Sequence, residues 1–239
     1  MSVEDHAKQG YQELEKEDYQ QALKHFQRAL AQESTHPESL YGAARAYFKL
    51  QQYEVSIQTF GRLINLLPNN ATYLSERGVA LHWTGNNQLA LADFDRAVKL
   101  EPNNPYRYSS RAYIKDRLKD YQGAIDDYSK AIELDPEDAI AYNNRGLIEE
   151  KLGYLEKAKG SYQQADQLDQ RKNGSKKPET EPTVSKENSI DTPVEKVGTS
   201  TVTTSSGGRS YWSEIRSVFT SRQQFQEFIQ FVNPFKKTQ

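Results

Sequence analysis

The chain has 239 residues, 36% of them apolar and 27% charged, with a formal net charge of −2. Charges of both signs are interspersed, so no whole-molecule field draws it to nucleic acid or acidic lipid; the absence of cysteine excludes a disulfide framework, a thiolate metal site and a cysteine nucleophile. No stretch approaches the roughly 18 consecutive apolar residues of a membrane span, and Met1-Ser2-Val3-Glu4-Asp5-His6 lacks the basic start and apolar core of a secretion signal, so the expected address is cytoplasmic.

From residue 3 onward one period dominates. Pro68, Pro102 and Pro136 recur every 34 residues, and so do the small residues Ala22, Ser56, Ala90, Ala124 and Ala158. Four residues after each small residue stands an aromatic (Phe26, Phe60, Phe94, Tyr128, Tyr162), and three further on an apolar residue (Ala29, Leu63, Ala97, Ala131, Ala165). Twelve residues before it stands another small one: Gly10, Ala44, Gly78, Ala112 and Gly146. Apolar steps of three and four give two amphipathic helices per unit. Small residues let the two backbones approach where they cross, and each aromatic fills the wedge against the next unit. Gly85-Asn86 and Gly153 supply turns between helices, and proline stops the second helix. One such hairpin cannot bury its own face, whereas five in a row build a continuous core.

The pattern resembles the tetratricopeptide-repeat (TPR) family, with units at 3–36, 37–70, 71–104, 105–138 and 139–172. The first unit departs from it at His6, where a large apolar residue is usual, and at Ser34 in place of proline; the fifth has Gln170 in place of proline. The resemblance implies an all-α, right-handed superhelical solenoid that is not an enzyme and binds another protein in a groove lined by the first helix of each repeat. On that reading the groove candidates are Tyr11, Tyr41, Arg45, Phe48, His82, Trp83, Tyr106, Ser109, Tyr113, Asn143 and Asn144. Rings supply contact area there, while Arg and Asn satisfy the carbonyls of a bound segment. A subclass of the family holds acidic chaperone tails through a two-carboxylate clamp. The matching positions here are Ala7, Tyr11, Gly42, Thr72 and Glu76, so that clamp is not expected.

Arg77, Arg111 and Arg145 also recur at 34. Each is expected to lay its stem on apolar surface and pair with a carboxylate; contact with a ligand is the alternative. Asp126-Asp127 and Glu149-Glu150 are expected as solvated helix faces. Neither a His-x-x-x-His metal pair nor a phosphate-binding glycine loop nor a G-x-S-x-G elbow occurs, so no cofactor, metal or catalytic group is expected. Base-reading helical repeats have a slightly longer period, and acidic side chains outnumber basic ones over 1–172, so nucleic acid is not an expected partner.

Beyond Lys172 the composition shifts to Ser, Thr, Gly, Pro, Lys and Glu, which predicts a disordered linker over 173–209 with a span of roughly 30 Å. An aromatic amphipathic helix is expected over 210–235, ending at Asn233-Pro234, with Trp212, Ile215, Phe219, Phe225, Phe228 and Ile229 on its apolar face. So wide an apolar face needs cover. Docking on its own repeats, pairing with a second copy, binding a partner and lying in a membrane interface all remain open. The expected function is a protein-interaction adaptor taking a peptide or helix in the groove. The alternative is a membrane-associated or self-assembling scaffold working through 210–235.

Overall fold

In a computed structural model of the chain, which describes residues 1–174, ten helices follow one another with no strand among the described residues. The first helices of the five units are α1 (Val3–Glu15), α3 (Pro37–Lys49), α5 (Ala71–Trp83), α7 (Pro105–Arg117) and α9 (Ala139–Lys151). The second helices are α2 (Tyr19–Gln32), α4 (Tyr53–Leu66), α6 (Asn87–Leu100), α8 (Tyr121–Leu134) and α10 (Leu155–Gly174). Apart from 173–174, which belong to α10, the expected linker lies outside the described residues, as does the whole expected helix at 210–235. No described helix is long and apolar enough to cross a membrane.

Local signals set the boundaries. Ser2, Asp18, Asn70, Asn104, Asp120 and Asp138 cap helix starts by accepting backbone N–H groups that have no partner within the helix. Pro37 and Pro105 open α3 and α7, where the missing N–H costs nothing. Between the two helices of every unit one residue takes the left-handed conformation: Glu17, Gln51, Gly85, Lys119 and Gly153, with φ of 61–79°. The next residue then donates back into the helix, as Gln52 N–H does to the Tyr47 carbonyl at 2.9 Å and Asn86 N–H to that of Leu81 at 2.9 Å. Glycine removes the Cβ cost of that conformation in two turns only. In the other three the surrounding hairpin holds a side chain there. The helix α10, lacking a proline stop at Gln170, runs for 20 residues against 14 in each of the other second helices.

Packing follows the repeat. From α1 to α9 each helix packs on the next, and Ala165 and Leu168 of α10 join Ala139 and Tyr142 of α9. Ala22, Ser56, Ala90, Ala124 and Ala158 are all buried, and the odd one out, Ser56, donates its hydroxyl to the Ala44 carbonyl at 2.8 Å. Phe26 lies against Gly10 of its own unit and Gly42 of the next, close enough that a Cβ at Gly10 would meet the ring at 2.5 Å. Phe60, Phe94 and Tyr128 are buried in the same register.

Two expected solvated faces are not solvated throughout. Asp127 and Glu149 are buried, because their positions point between helices. Asp127 takes Arg111 at 2.6 Å and Lys115 at 2.8 Å, while Glu149 accepts the Ser161 hydroxyl at 2.8 Å. The arginine ladder is built in the same way. Arg77 holds Asp93 through two bonds of 2.7 Å; Arg111 holds Asp127 and Asp95; Arg145 reaches Ser161, Ser129 and Glu149.

His6 fills its apolar position as a buried ring, 6.1 Å from that of His25, and neither Nδ1 has a hydrogen-bond partner among the described residues. Burial, then the N-terminal ammonium, Arg28 and His25, hold the His6 imidazole below the ordinary histidine range. Between its folded and unfolded values the unfolded chain binds the extra proton, so stability is lost as pH falls below about 6.5. The urea midpoint of the full chain is therefore expected to be lower at about pH 5.5 than at about pH 7.5. The difference should shrink in His6→Leu, which installs the residue found in register at Leu40 and Leu74. An undiminished difference in that variant would remove His6 as its source.

Candidate interaction face

The first helices bring most of the sequence-selected residues onto three neighbouring patches. On the first, Tyr11 of α1 donates its hydroxyl to the Glu38 carbonyl at 2.9 Å, with its ring edge-on to Phe26. Tyr41 of α3 donates to the Glu76 carboxylate at 2.7 Å and tilts against Tyr73 at 5.2 Å. The Arg45 guanidinium lies 5.5 Å from the centre of the Tyr41 ring, and its Nε is 3.9 Å from Glu76. Burial, and for Tyr41 the neighbouring Glu76 charge, push both phenols well above the usual tyrosine range. The patch is thus a hydrogen-bonded network in which the Arg45 cation is partly buried and the Glu76 carboxylate largely so.

The second patch is a run of rings along the ends of α3, α5 and α7. Phe48 meets Tyr53 edge-on at 5.2 Å; Tyr53 stacks on Trp83 at 5.7 Å with 19° between planes. His82 lies 6.5 Å from Trp83 and perpendicular to Tyr113 at 5.2 Å, and Arg117 caps the Tyr113 face at 4.8 Å. His82 bridges two repeats: Nδ1 is 2.7 Å from the Asn87 side-chain oxygen and Nε2 is 3.4 Å from the Tyr113 hydroxyl. A neutral ring with its proton on Nδ1 satisfies both contacts. Burial, and secondarily the Arg117 charge, keep the ring neutral by lowering its pKa, against the opposing effect of the hydrogen bond it donates to the Asn87 side-chain oxygen. Phe48 and Tyr113 are buried and form the floor of this patch, while Trp83 is 37% exposed.

The third patch belongs to α7 and α9. Tyr106 and Asn144 are half-buried; Ser109 and Asn143 are buried, and Ser109 Oγ and Asn143 Nδ2 lack a hydrogen-bond partner among the described residues. Beside it Arg107, only 2% exposed, is held by Glu101 at 2.8 Å and by the Ser75 and Thr72 hydroxyls. Among the described residues no group of three or more His, Asp or Glu is placed to hold a metal ion.

Two members of the ring run were not singled out by sequence, although the period points to both. Tyr53 shares its register with Tyr19 and Tyr121, and Arg117 stands 34 residues after Trp83. Glu76 entered only as evidence against the carboxylate clamp.

An all-helical stack of antiparallel hairpins with a 34-residue period defines an α-solenoid. Profiles described as tetratricopeptide repeat match residues 13–75 and 139–172, and one described as TPR repeat matches 117–153. The chain is a tetratricopeptide-repeat protein. Its fold is similar to the crystal structure of MamA, at 21% identity and a TM-score of 0.66, over 69% of this chain and 96% of that one. MamA from Desulfovibrio magneticus RS-1 aligns at 20% identity and a TM-score of 0.68, over 72% of this chain and 97% of the other. YrrB, described as a TPR protein with an unusual peptide-binding site, aligns at 21% identity and a TM-score of 0.60, over 68% of this chain and 84% of its own. No curated protein sequence gives a significant match.

Proposed function

We propose that the chain is a non-catalytic protein-interaction adaptor that takes a peptide or helix of a partner against the face formed by α1, α3, α5, α7 and α9. The ring run from Phe48 to Tyr113 carries this reading: it crosses three repeats and ends at the surface in Trp83 and Arg117. Exposed tryptophan and arginine over a packed aromatic floor are the side chains that concentrate binding energy at interfaces. The peptide-binding description of YrrB, a protein of the same fold, is in keeping with it.

The test compares the full chain with a variant carrying Arg45→Ala, Trp83→Ala and Tyr113→Phe. Phenylalanine keeps the buried ring at 113 and removes only the hydroxyl facing His82. A photo-crosslinker at position 83 is expected to capture a partner that one at Arg62, on a second helix, does not. Affinity for that partner should fall by at least tenfold in the triple variant with helicity unchanged, since one such anchor contributes ~2 kcal/mol or more. Retention of the partner by the triple variant would move the binding surface elsewhere.

A further inference from the structure

We infer that the partner segment is acidic and aromatic: it lays an aromatic side chain beside Trp83 and Tyr53 and a carboxylate against Arg117. This rests on the interaction face proposed above and names the chemistry it selects.

Three observations lead there. The first is steric. Tyr53 and Trp83 are stacked nearly parallel, and Trp83 keeps 37% of its surface exposed, so a further aromatic side chain has apolar surface to lie beside. The second is the charge balance around Arg117, which is exposed and pinned over the Tyr113 ring at 4.8 Å. Among the described residues no carboxylate forms a salt bridge with it. The adjacent Asp116 is instead engaged by Lys151 of the next repeat at 2.5 Å, and Asp127 by Arg111 and Lys115. The third is His82, which lies between Trp83 and Tyr113 and stays neutral, so it adds no charge of its own to the rim. Positive charge at the helix C-terminus also complements the α7 dipole, but that alone does not require a guanidinium set over an aromatic floor beside an exposed tryptophan.

The spacing of the motif follows from extended-chain geometry. Side chains on one face of an extended segment repeat every ~7 Å. Trp83 and Arg117 are linked through ring steps of 6.5, 5.2 and 4.8 Å. An aromatic residue and an acidic residue two or four positions apart lie on one face and fall within that range. A basic residue in the second position meets Arg117 as a like charge, and specificity then comes as much from that repulsion as from attraction.

The experiment uses the full chain with Trp212→Phe, which leaves Trp83 as the one tryptophan reporter. The probes are short acetylated peptides pairing phenylalanine with aspartate two or four positions away. Counterparts carry lysine in place of aspartate, or alanine in place of phenylalanine. The Phe–Asp peptides are expected to shift Trp83 emission and to bind at least about fivefold tighter than Phe–Lys at low salt. That preference should shrink with added salt, disappear in Arg117→Ala and reverse in Arg117→Glu. Equal binding of Phe–Asp and Phe–Lys, with Trp83 responding to both, would overturn the acidic specificity and leave the interaction face standing. Silence of Trp83 towards every peptide, together with concentration-dependent mass of the chain, would assign the rim to a second copy and overturn both readings.

Discussion

Phe94→Ala is expected to lower the unfolding free energy by about 3–5 kcal/mol, the largest single effect anticipated in the chain. Phe94 is buried in α6, and its ring lies so close to Gly78 of α5 that a Cβ there would meet it at 2.9 Å. Glycine at 78 leaves the space the ring fills, so removing the ring opens a cavity bounded by backbone that cannot close in. The position is also the middle of five. In a stack stabilised by nearest-neighbour interfaces, weakening the central unit uncouples the two on either side. Urea unfolding followed by far-ultraviolet circular dichroism should then show a lower midpoint and a broader transition. The control is Tyr162→Ala in the last repeat, in the same register but only half-buried, where about 1–2 kcal/mol is expected because less transfer free energy is lost. Equal costs at the two positions would mean that burial between repeats is not what the recurring aromatic supplies.

The aromatic wedge, the small crossing residues and the unit boundaries were legible because each is a property of the period. A spacing of 34 seen in several residue classes fixes which side chains meet, whatever the detailed packing. Turn chemistry was legible only in part. Gly85 and Gly153 announce a left-handed residue, but Glu17, Gln51 and Lys119 take the same conformation without any compositional sign, because the hydrogen bonds of the hairpin impose it. Burial of charge was the least legible. Asp126 and Asp127 are neighbours of identical chemistry, and only the direction of the helix face separates the exposed one from the one locked between Arg111 and Lys115. The interaction face shows the same limit. Single positions such as Trp83 and His82 could be selected from the first helices, yet their continuity with Tyr53, on a second helix, depends on how α4 starts beneath Trp83.

Arg77→Ala is expected to cost about 3 kcal/mol, nearly as much as a core truncation, because of what it leaves behind. The Asp93 side chain is 5% exposed, and both its oxygens are taken by Arg77 at 2.7 Å. Without that guanidinium a carboxylate stays buried with neither charge nor hydrogen-bond compensation. Arg111→Ala should cost less, since Asp127 keeps Lys115 at 2.8 Å. The second repeat shows how the register works without charge: Ala43 and Thr59 stand there, and the Thr59 hydroxyl donates to the Val55 carbonyl of its own helix at 2.7 Å. Grafting that solution as Arg77→Ala with Asp93→Thr removes the stranded carboxylate and supplies a self-satisfied hydroxyl. The double variant is expected to be more stable than Arg77→Ala alone and to lie within about 1 kcal/mol of the parent. A coupling of roughly 2 kcal/mol should therefore appear in the double-mutant cycle, measured by urea unfolding of all four proteins. If the two changes simply add, the pair is not the contact that ties α5 to α6. The recurrence of arginine every 34 residues would then reflect contact with a ligand, and the same variants should lose partner affinity while keeping their stability.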